Sequence, residues 1–192
     1  MAQNFCILIS GLLGSHAVEI ADIVADRMDN TVVVSGGGFL ISKAPMPFPT
    51  AILSTGEQVQ NSFCAAAISW NKLNKHVTTT LRRHNVVLVA YPREDLMTFH
   101  IDAHIRITLG LTPEDEIQRL LVIRRQLCAF KTAHEITRDE MKVREVIYPE
   151  YLETVQHFHG TVALCIEKRP ISEIVDEIML IYRYLTRFAP LS

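Results

Sequence analysis

Phe5-Cys6-Ile7-Leu8-Ile9-Ser10-Gly11-Leu12-Leu13-Gly14-Ser15-His16-Ala17-Val18 is the stretch on which the fold turns. A short, uninterrupted apolar run reads as a strand covered on both faces, the kind found in parallel sheets. The run stops at Gly11 and Gly14, and Ala17, Ile20, Ala21, Val24 and Met28 then recur at helical spacing. One face of that following segment is therefore apolar. Strand, glycine turn and amphipathic helix in this order are the first part of a β-α-β unit, which predicts an α/β domain.

The same alternation continues outward. Apolar runs predict strands at residues 5–10, 31–35, 85–90, 104–109 and 161–166, each of ordinary length. Trp70, Leu73, Val77 and Leu81 form a helical stripe. Thr112-Pro113-Glu114-Asp115 places a cap, a proline and acids at a helix start that leads into Ile117, Leu120 and Leu121. Thr137-Arg138-Asp139-Glu140 has capping-box form and predicts another start. Pro149 predicts a further start, with Gly160 as its stop, and a last helix follows Pro170 with Ile171, Ile174, Val175, Ile178, Ile181 and Leu185 on one face. Residues 36–62 break the rhythm with three consecutive glycines, then Pro45, Pro47 and Pro49, and predict an irregular insertion. One domain over 1–192 is expected.

Composition narrows the function. The 192 residues are 48% hydrophobic, which argues against disorder. A chain this long buries roughly 70% of its unfolded surface and needs no disulfide or structural metal. With 19 Lys and Arg against 21 Asp and Glu, no nucleic-acid-coating or membrane-coating role is expected. Cys6, Cys64, Cys128 and Cys165 form no C-x-x-C pair, so reduced, mostly buried thiols are expected. No signal-peptide pattern or long apolar span is present, and a cytoplasmic location is the expectation.

The first turn also occupies the setting of a loop of the form G-x-x-x-x-G-K-[ST], in which backbone amides cradle phosphate, lysine neutralises it and the hydroxyl holds magnesium. Gly11 matches the first glycine, but His16 replaces the last, Ala17 the lysine and Val18 the Ser/Thr. The Gly14-Ser15 pair matches many small kinases. With these residues the chain resembles the P-loop small-molecule kinases, most closely the uridine kinase and nicotinamide riboside kinase branch. In Val34-Ser35-Gly36-Gly37-Gly38-Phe39-Leu40, Phe39 is kept and glycine stands where that family has an acid. Residues 63–70 keep a hydrophobic outline without the family's acids, and Val86-Val87-Leu88-Val89-Ala90-Tyr91-Pro92 lacks the acid of the third strand. Ile105 to Leu109, then Thr112-Pro113-Glu114, Arg119 and Arg124-Arg125, resemble the fourth strand and an arginine-bearing lid helix. Thr137-Arg138-Asp139 and residues 146–151 resemble the lid's end and the helix after it. The resemblance implies a three-layer P-loop kinase-like fold, a five-stranded parallel sheet, a lid over about residues 124–140, and a nucleotide or nucleoside ligand.

For that ligand the candidate binding residues are Gly11, Gly14, Ser15, His16, Arg119, Arg124 and Arg125. Guanidinium forks suit phosphate oxygens, although Arg119, Arg124, Arg125 and Arg138 also fit a solvated helix face paired with Glu114, Asp115 or Glu116. His16 is either an anion donor when protonated or a surface loop residue. His100 and His104 have helical metal spacing but lead into a strand, where residues four apart are about 13 Å apart, so no metal site is expected. His157-Phe158-His159 fits the end of a helix better than a site.

The expected function is binding, regulatory or structural, in a catalytically degenerate kinase-like protein with at most weak affinity for ATP or another phosphate-bearing ligand. The expected partner is a second copy or an active kinase relative, met through the last helix, where Met179, Leu180, Tyr182 and Tyr184 widen the apolar face. The competing expectation is an active nucleoside or nucleotide kinase whose cation comes from Lys43, Arg93 or the lid arginines.

Overall fold

The architecture is that of a computed structural model, which describes residues 4–12, 14–41, 48–61, 68–90, 103–127, 132–157 and 162–188. Five parallel strands form its sheet: β1 (Cys6–Gly11), β2 (Thr31–Ser35), β5 (Asn85–Ala90), β6 (Ile105–Gly110) and β7 (Val162–Cys165). Their spatial order is β2-β5-β1-β6-β7. β1 is central, with Ile7 opposite Val87 on one side and Ile105 on the other. Being central, it is buried along its whole length.

The period of two then sorts its side chains. Phe5, Ile7 and Ile9 pack in one core with Ile20 and Val24 of α1 (Ala17–Asp26) and Ile174, Val175 and Ile178 of α6 (Ile171–Phe188). Cys6 and Leu8 pack in another with Trp70, Leu73 and Val77 of α2 (Trp70–Leu81). Helices thus cover both faces, which is why these strands read as nearly continuous apolar runs. The expected strands differ from the observed ones by one residue at several ends; β1 and β6 run on to Gly11 and Gly110, which still pair in the ladder.

Several expectations are corrected. Within residues 36–62, Gly36–Phe39 forms a 3-10 turn, and β3 (Thr50–Ile52) pairs antiparallel with β4 (Gln58–Gln60), so the insertion is partly regular. Pro45 and Pro47 lie outside the described residues. No helix starts at Thr137: α4 (Ala133–Lys142) starts five residues earlier by the numbering of its cap, because Thr132 and Glu135 complete a reciprocal capping box. Thr137 instead donates its hydroxyl to the Ala133 carbonyl inside that helix. The helix expected at Pro149 is present to within a residue, but it continues an earlier helix rather than starting afresh. α4 runs through a π-helical segment, Val143–Ile147, into α5 (Tyr148–His157), and the Tyr148 amide reaches back to the Val143 carbonyl. The wider turn accommodates a proline that would break a regular helix interior. Cys6 is buried but Cys165 is exposed; Cys64, Cys128 and Gly160 lie outside the described residues.

The α6 face is narrower than its composition implies. Met179 is buried and Tyr182 packs partly against the core, which leaves Leu180 and Tyr184 at 67% and 62% exposure. Among the described residues no helix is long and apolar enough to cross a membrane.

Candidate functional site

The site is the turn from β1 into α1, at the carboxyl ends of the parallel strands, where open α/β sheets place their ligands. Gly11 is held by crowding: a Cβ there would stand 2.8 Å from Ser15 Cβ and 3.2 Å from Leu109 Cβ. Gly14 is required twice, by φ +96° and by Arg119 Cβ, which a side chain would meet at 2.9 Å. His16 caps α1 at φ 58°, ψ 20°, the left-handed region that glycine enters without strain. The backbone therefore adopts glycine-like geometry at a position that carries an imidazole. His16 Nδ1 lies 3.0 Å from Glu19 Oε2. The Ser15 amide donates to the Leu12 carbonyl at 2.9 Å, which tightens the turn.

Inside this turn lies a cavity of about 300 Å³, walled by Leu12, Ala17, Val18, Val89 and Ile123 together with Gly11, Gly14, Ser15, His16, Glu19 and Ser35. Ser15 Oγ is buried and has no hydrogen-bond partner among the described residues. On the other side of Ser15 and His16 is a smaller cavity of about 150 Å³, bounded by Ile20, Ile166, Ile171 and Ile174 with Arg119, Lys168 and Arg169. Lys168 also has positive φ, at 55°. A third, of about 480 Å³, separates β4 from α4 and is lined by Gln58, Gln60, Glu135, Arg138, Asp139 and Lys142.

The arginines of α3 (Pro113–Leu127) part ways. Arg119 reaches the turn and donates to the Gly14 carbonyl at 3.2 Å. Arg124 turns to α4 and grips Asp139 with two bonds, at 2.8 and 2.5 Å, in a largely buried pair. Arg125 is exposed. Arg138 pairs with Glu57 of the β3–β4 hairpin at 2.6 Å. Of the alternative reading, the exposed Arg125 fits a solvated helix face, whereas the three acids have other partners. Glu114 engages Arg144 and Gln118, which lower its carboxyl below the ordinary range; Asp115 accepts from the Thr112 hydroxyl.

Glu116 is the residue that sequence reasoning missed. At 5% exposure it accepts from the Leu111 amide, the Tyr148 hydroxyl at 2.8 Å and the Tyr151 hydroxyl at 3.3 Å. Burial and the adjacent carboxylate push both phenols well above their usual range, so they remain donors. The only local signal is an acid among helix-start acids. His104, too, has a structural place: its ring stacks on Phe5 at 4.4 Å and accepts the Cys6 amide at 3.0 Å. His100 and His159 lie outside the described residues, as do Lys43 and Arg93; so does the side chain of His157.

No protein-family model matches this sequence, and no curated protein matches it at the sequence level. Solved structures do match in shape. Shikimate kinase from Bacteroides thetaiotaomicron is similar at 13% identity and TM-score 0.52, over 93% of this chain and 98% of that one. Gluconokinase from Sinorhizobium meliloti is similar at 13% identity and TM-score 0.51, over 98% and 99%. Shikimate kinase from Acinetobacter baumannii, solved with shikimate, is similar at 15% identity and TM-score 0.52, over 97% and 96%. With the strand order and the glycine turn, these likenesses give the chain the fold of the P-loop small-molecule kinases.

Proposed function

We propose that this protein is a catalytically degenerate P-loop kinase-like protein that acts by binding, as a regulatory or structural partner, rather than by phosphoryl transfer. The observation that carries the reading is the pair Ala17 and Val18. They stand where the phosphate-binding motif has a lysine and a magnesium-holding hydroxyl, and Val18 sits half-exposed on the cavity wall. Among the described residues that line this cavity, the acid Glu19 is present and no lysine or arginine is. Magnesium-ATP, the group this fold implies, does not fit such a lining. Losing one electrostatic stabiliser commonly lowers rate about a hundredfold to a thousandfold, and here several are replaced together.

Within the fold, the proposed lineage is the uridine kinase and nicotinamide riboside kinase branch, supported by Phe39 directly after the second strand and by the arginines of α3. Gly11, Gly14, Ser15, His16 and Arg119 are proposed as the residual binding face, because the structure brings them together at one turn. Arg124 and Arg125 are proposed with them as lid residues, Arg124 through its hold on α4. The proposed contact with a second copy is the exposed pair Leu180 and Tyr184.

Calorimetry with magnesium-ATP, alongside a phosphoryl-transfer assay on a panel of nucleosides, tests the reading. Weak or absent binding and no transfer are expected. Submicromolar, magnesium-dependent affinity or measurable turnover establishes the active kinase instead.

A further inference from the structure

Between the β1–α1 turn and the approach to α6 lies the smaller space, of about 150 Å³. Arg119, Lys168 and Arg169 line it opposite Ile20, Ile166 and Ile174, and among the described residues no acid lines it. Three cations around one small space repel one another unless negative charge lies close by. Two of the three have it. Arg169 is tied to Glu177 at 2.7 Å and, more loosely, to Glu173 at 3.9 Å, and Lys168 lies 3.6 Å from Glu167.

Arg119 is the exception. Arg27, Arg124, Arg138 and Arg144 each pair with a carboxylate. The partly buried Arg119 has one bond, from Nη1 to the uncharged Gly14 carbonyl at 3.2 Å. The acids one turn before it on α3 are engaged elsewhere, Asp115 with Thr112 and Glu116 with Leu111, Tyr148 and Tyr151. Its Nε and Nη2 edge is left without a partner among the described residues, and it is not sealed in: the buried side-chain polar atoms without a partner are Ser15 Oγ and Asn74 Oδ1, not these nitrogens. That edge is a fork that fits two oxygens of one phosphate or carboxylate. A charge drawn into the protein without a counter-ion is unfavourable, and an anion arriving there removes the penalty. The fork alone suits either anion; the further cations Lys168 and Arg169 favour the doubly charged one. Size sets the other limit, because a cavity of about 150 Å³ takes one benzene ring, which leaves room for a phosphate group and a small body.

We infer that this space binds a single phosphate group, as the free ion or at the end of a small monoester, with two oxygens on Arg119 Nε and Nη2 and the remaining charge toward Lys168 and Arg169. It lies apart from the cavity inside the glycine turn, whose described lining has no lysine or arginine. The inference deepens the proposed function, whose binding face includes Arg119, and rests on its premise that the protein binds rather than transfers phosphate. No covalent bond forms or breaks.

The test is an NMR titration of the full chain in phosphate-free buffer with inorganic phosphate, phenyl phosphate and acetate. Saturable phosphate binding is expected, with a dissociation constant of about 1 mM or tighter, the strength of two charge-assisted hydrogen bonds. It should move the Arg119 Nε–H resonance together with the amides of His16, Lys168 and Arg169. Acetate should bind at least about tenfold more weakly. The order of the two phosphates tells the source: tighter phenyl phosphate identifies a monoester, tighter inorganic phosphate the free ion. Arg119→Gln, which keeps a donor for the Gly14 carbonyl, should weaken phosphate at least about tenfold. Lys168→Gly removes a charge at φ 55°, where glycine fits without strain, and should weaken it about threefold, as for an exposed charge. Melting temperatures within a few degrees of wild type show that the variants fold. An unmoved Arg119 Nε–H, acetate bound as tightly as phosphate, affinity unchanged in folded Arg119→Gln, or no saturable binding of either phosphate overturns the inference, and leaves the degenerate-kinase reading standing if magnesium-ATP is also weak. Submicromolar, magnesium-dependent ATP affinity overturns that reading whatever the phosphate titration shows.

Discussion

The β1–α1 turn and the Glu116 cluster are both places where polar atoms are buried, and they are treated in opposite ways. At the turn, Gly14 and His16 hold positive φ and Ser15 Oγ is left without a partner among the described residues. Around Glu116 a buried carboxylate receives the Leu111 amide and two tyrosine hydroxyls, on a helical column whose π segment makes room for Pro149. An answered buried group stabilises and orders what surrounds it, whereas an unanswered one is unfavourable. The second region is structural and the first is the candidate site, although the sequence resemblance draws the eye to the arginines of α3 that lie between them.

Removing the answered group has the largest expected effect. Glu116→Ala orphans three donors and opens space beneath Tyr148 and Tyr151, and should lower stability by about 3 kcal/mol, seen as a drop of about 10 °C in melting temperature. A loss below about 1 kcal/mol in urea melts would show that the cluster is not holding α3 to α5 and would dissolve the contrast.

The turn answers to a gain rather than a loss. The triple variant His16→Gly, Ala17→Lys and Val18→Ser restores the motif on a backbone already in glycine-like geometry. It should raise magnesium-ATP affinity by at least about tenfold, the size of one charge-assisted contact. No gain in a folded triple variant would mean that the turn has diverged in more than its side chains.

Alkaline titration sharpens the other half of the comparison. Unfolded, the tyrosine hydroxyls ionise around pH 10; folded, burial and then the Glu116 carboxylate keep the Tyr151 phenol protonated to higher pH. Its contribution is therefore fully present below about pH 10 and is lost as pH rises toward the folded value, by up to about 1.4 kcal/mol per pH unit. Tyr151→Phe should flatten the fall in stability above pH 10, and an unchanged slope in urea melts would count against a buried, Glu116-bound phenol.

The smallest expected effect on stability belongs to α6. Leu180→Glu with Tyr184→Glu should change folding stability by less than about 0.5 kcal/mol, as for exposed sites generally. If this face joins two copies, light scattering should show the double variant as a monomer beside a heavier wild type. Equal masses would remove α6 as the self-association surface.

Much of the fold was determined by the sequence itself, because its signals are local. Five apolar runs bounded by glycine, proline and polar residues mark the five strands to within a residue, and stripes such as Trp70, Leu73 and Val77 mark helices by their period. The replacement of lysine and hydroxyl by Ala17 and Val18 is likewise plain in the letters. Partnership across distance was decided only by the tertiary structure. Arg119 and Arg124 lie on one helix, yet the first reaches the Gly14 carbonyl and the second Asp139. Glu116 finds its tyrosines 32 and 35 residues away. Two T-x-x-E boxes compete, and only the one at Thr132 caps a helix. Periodicity reports which face of an element is apolar; which polar atom meets another, and which meets none, depends on how elements with distant sequence positions pack.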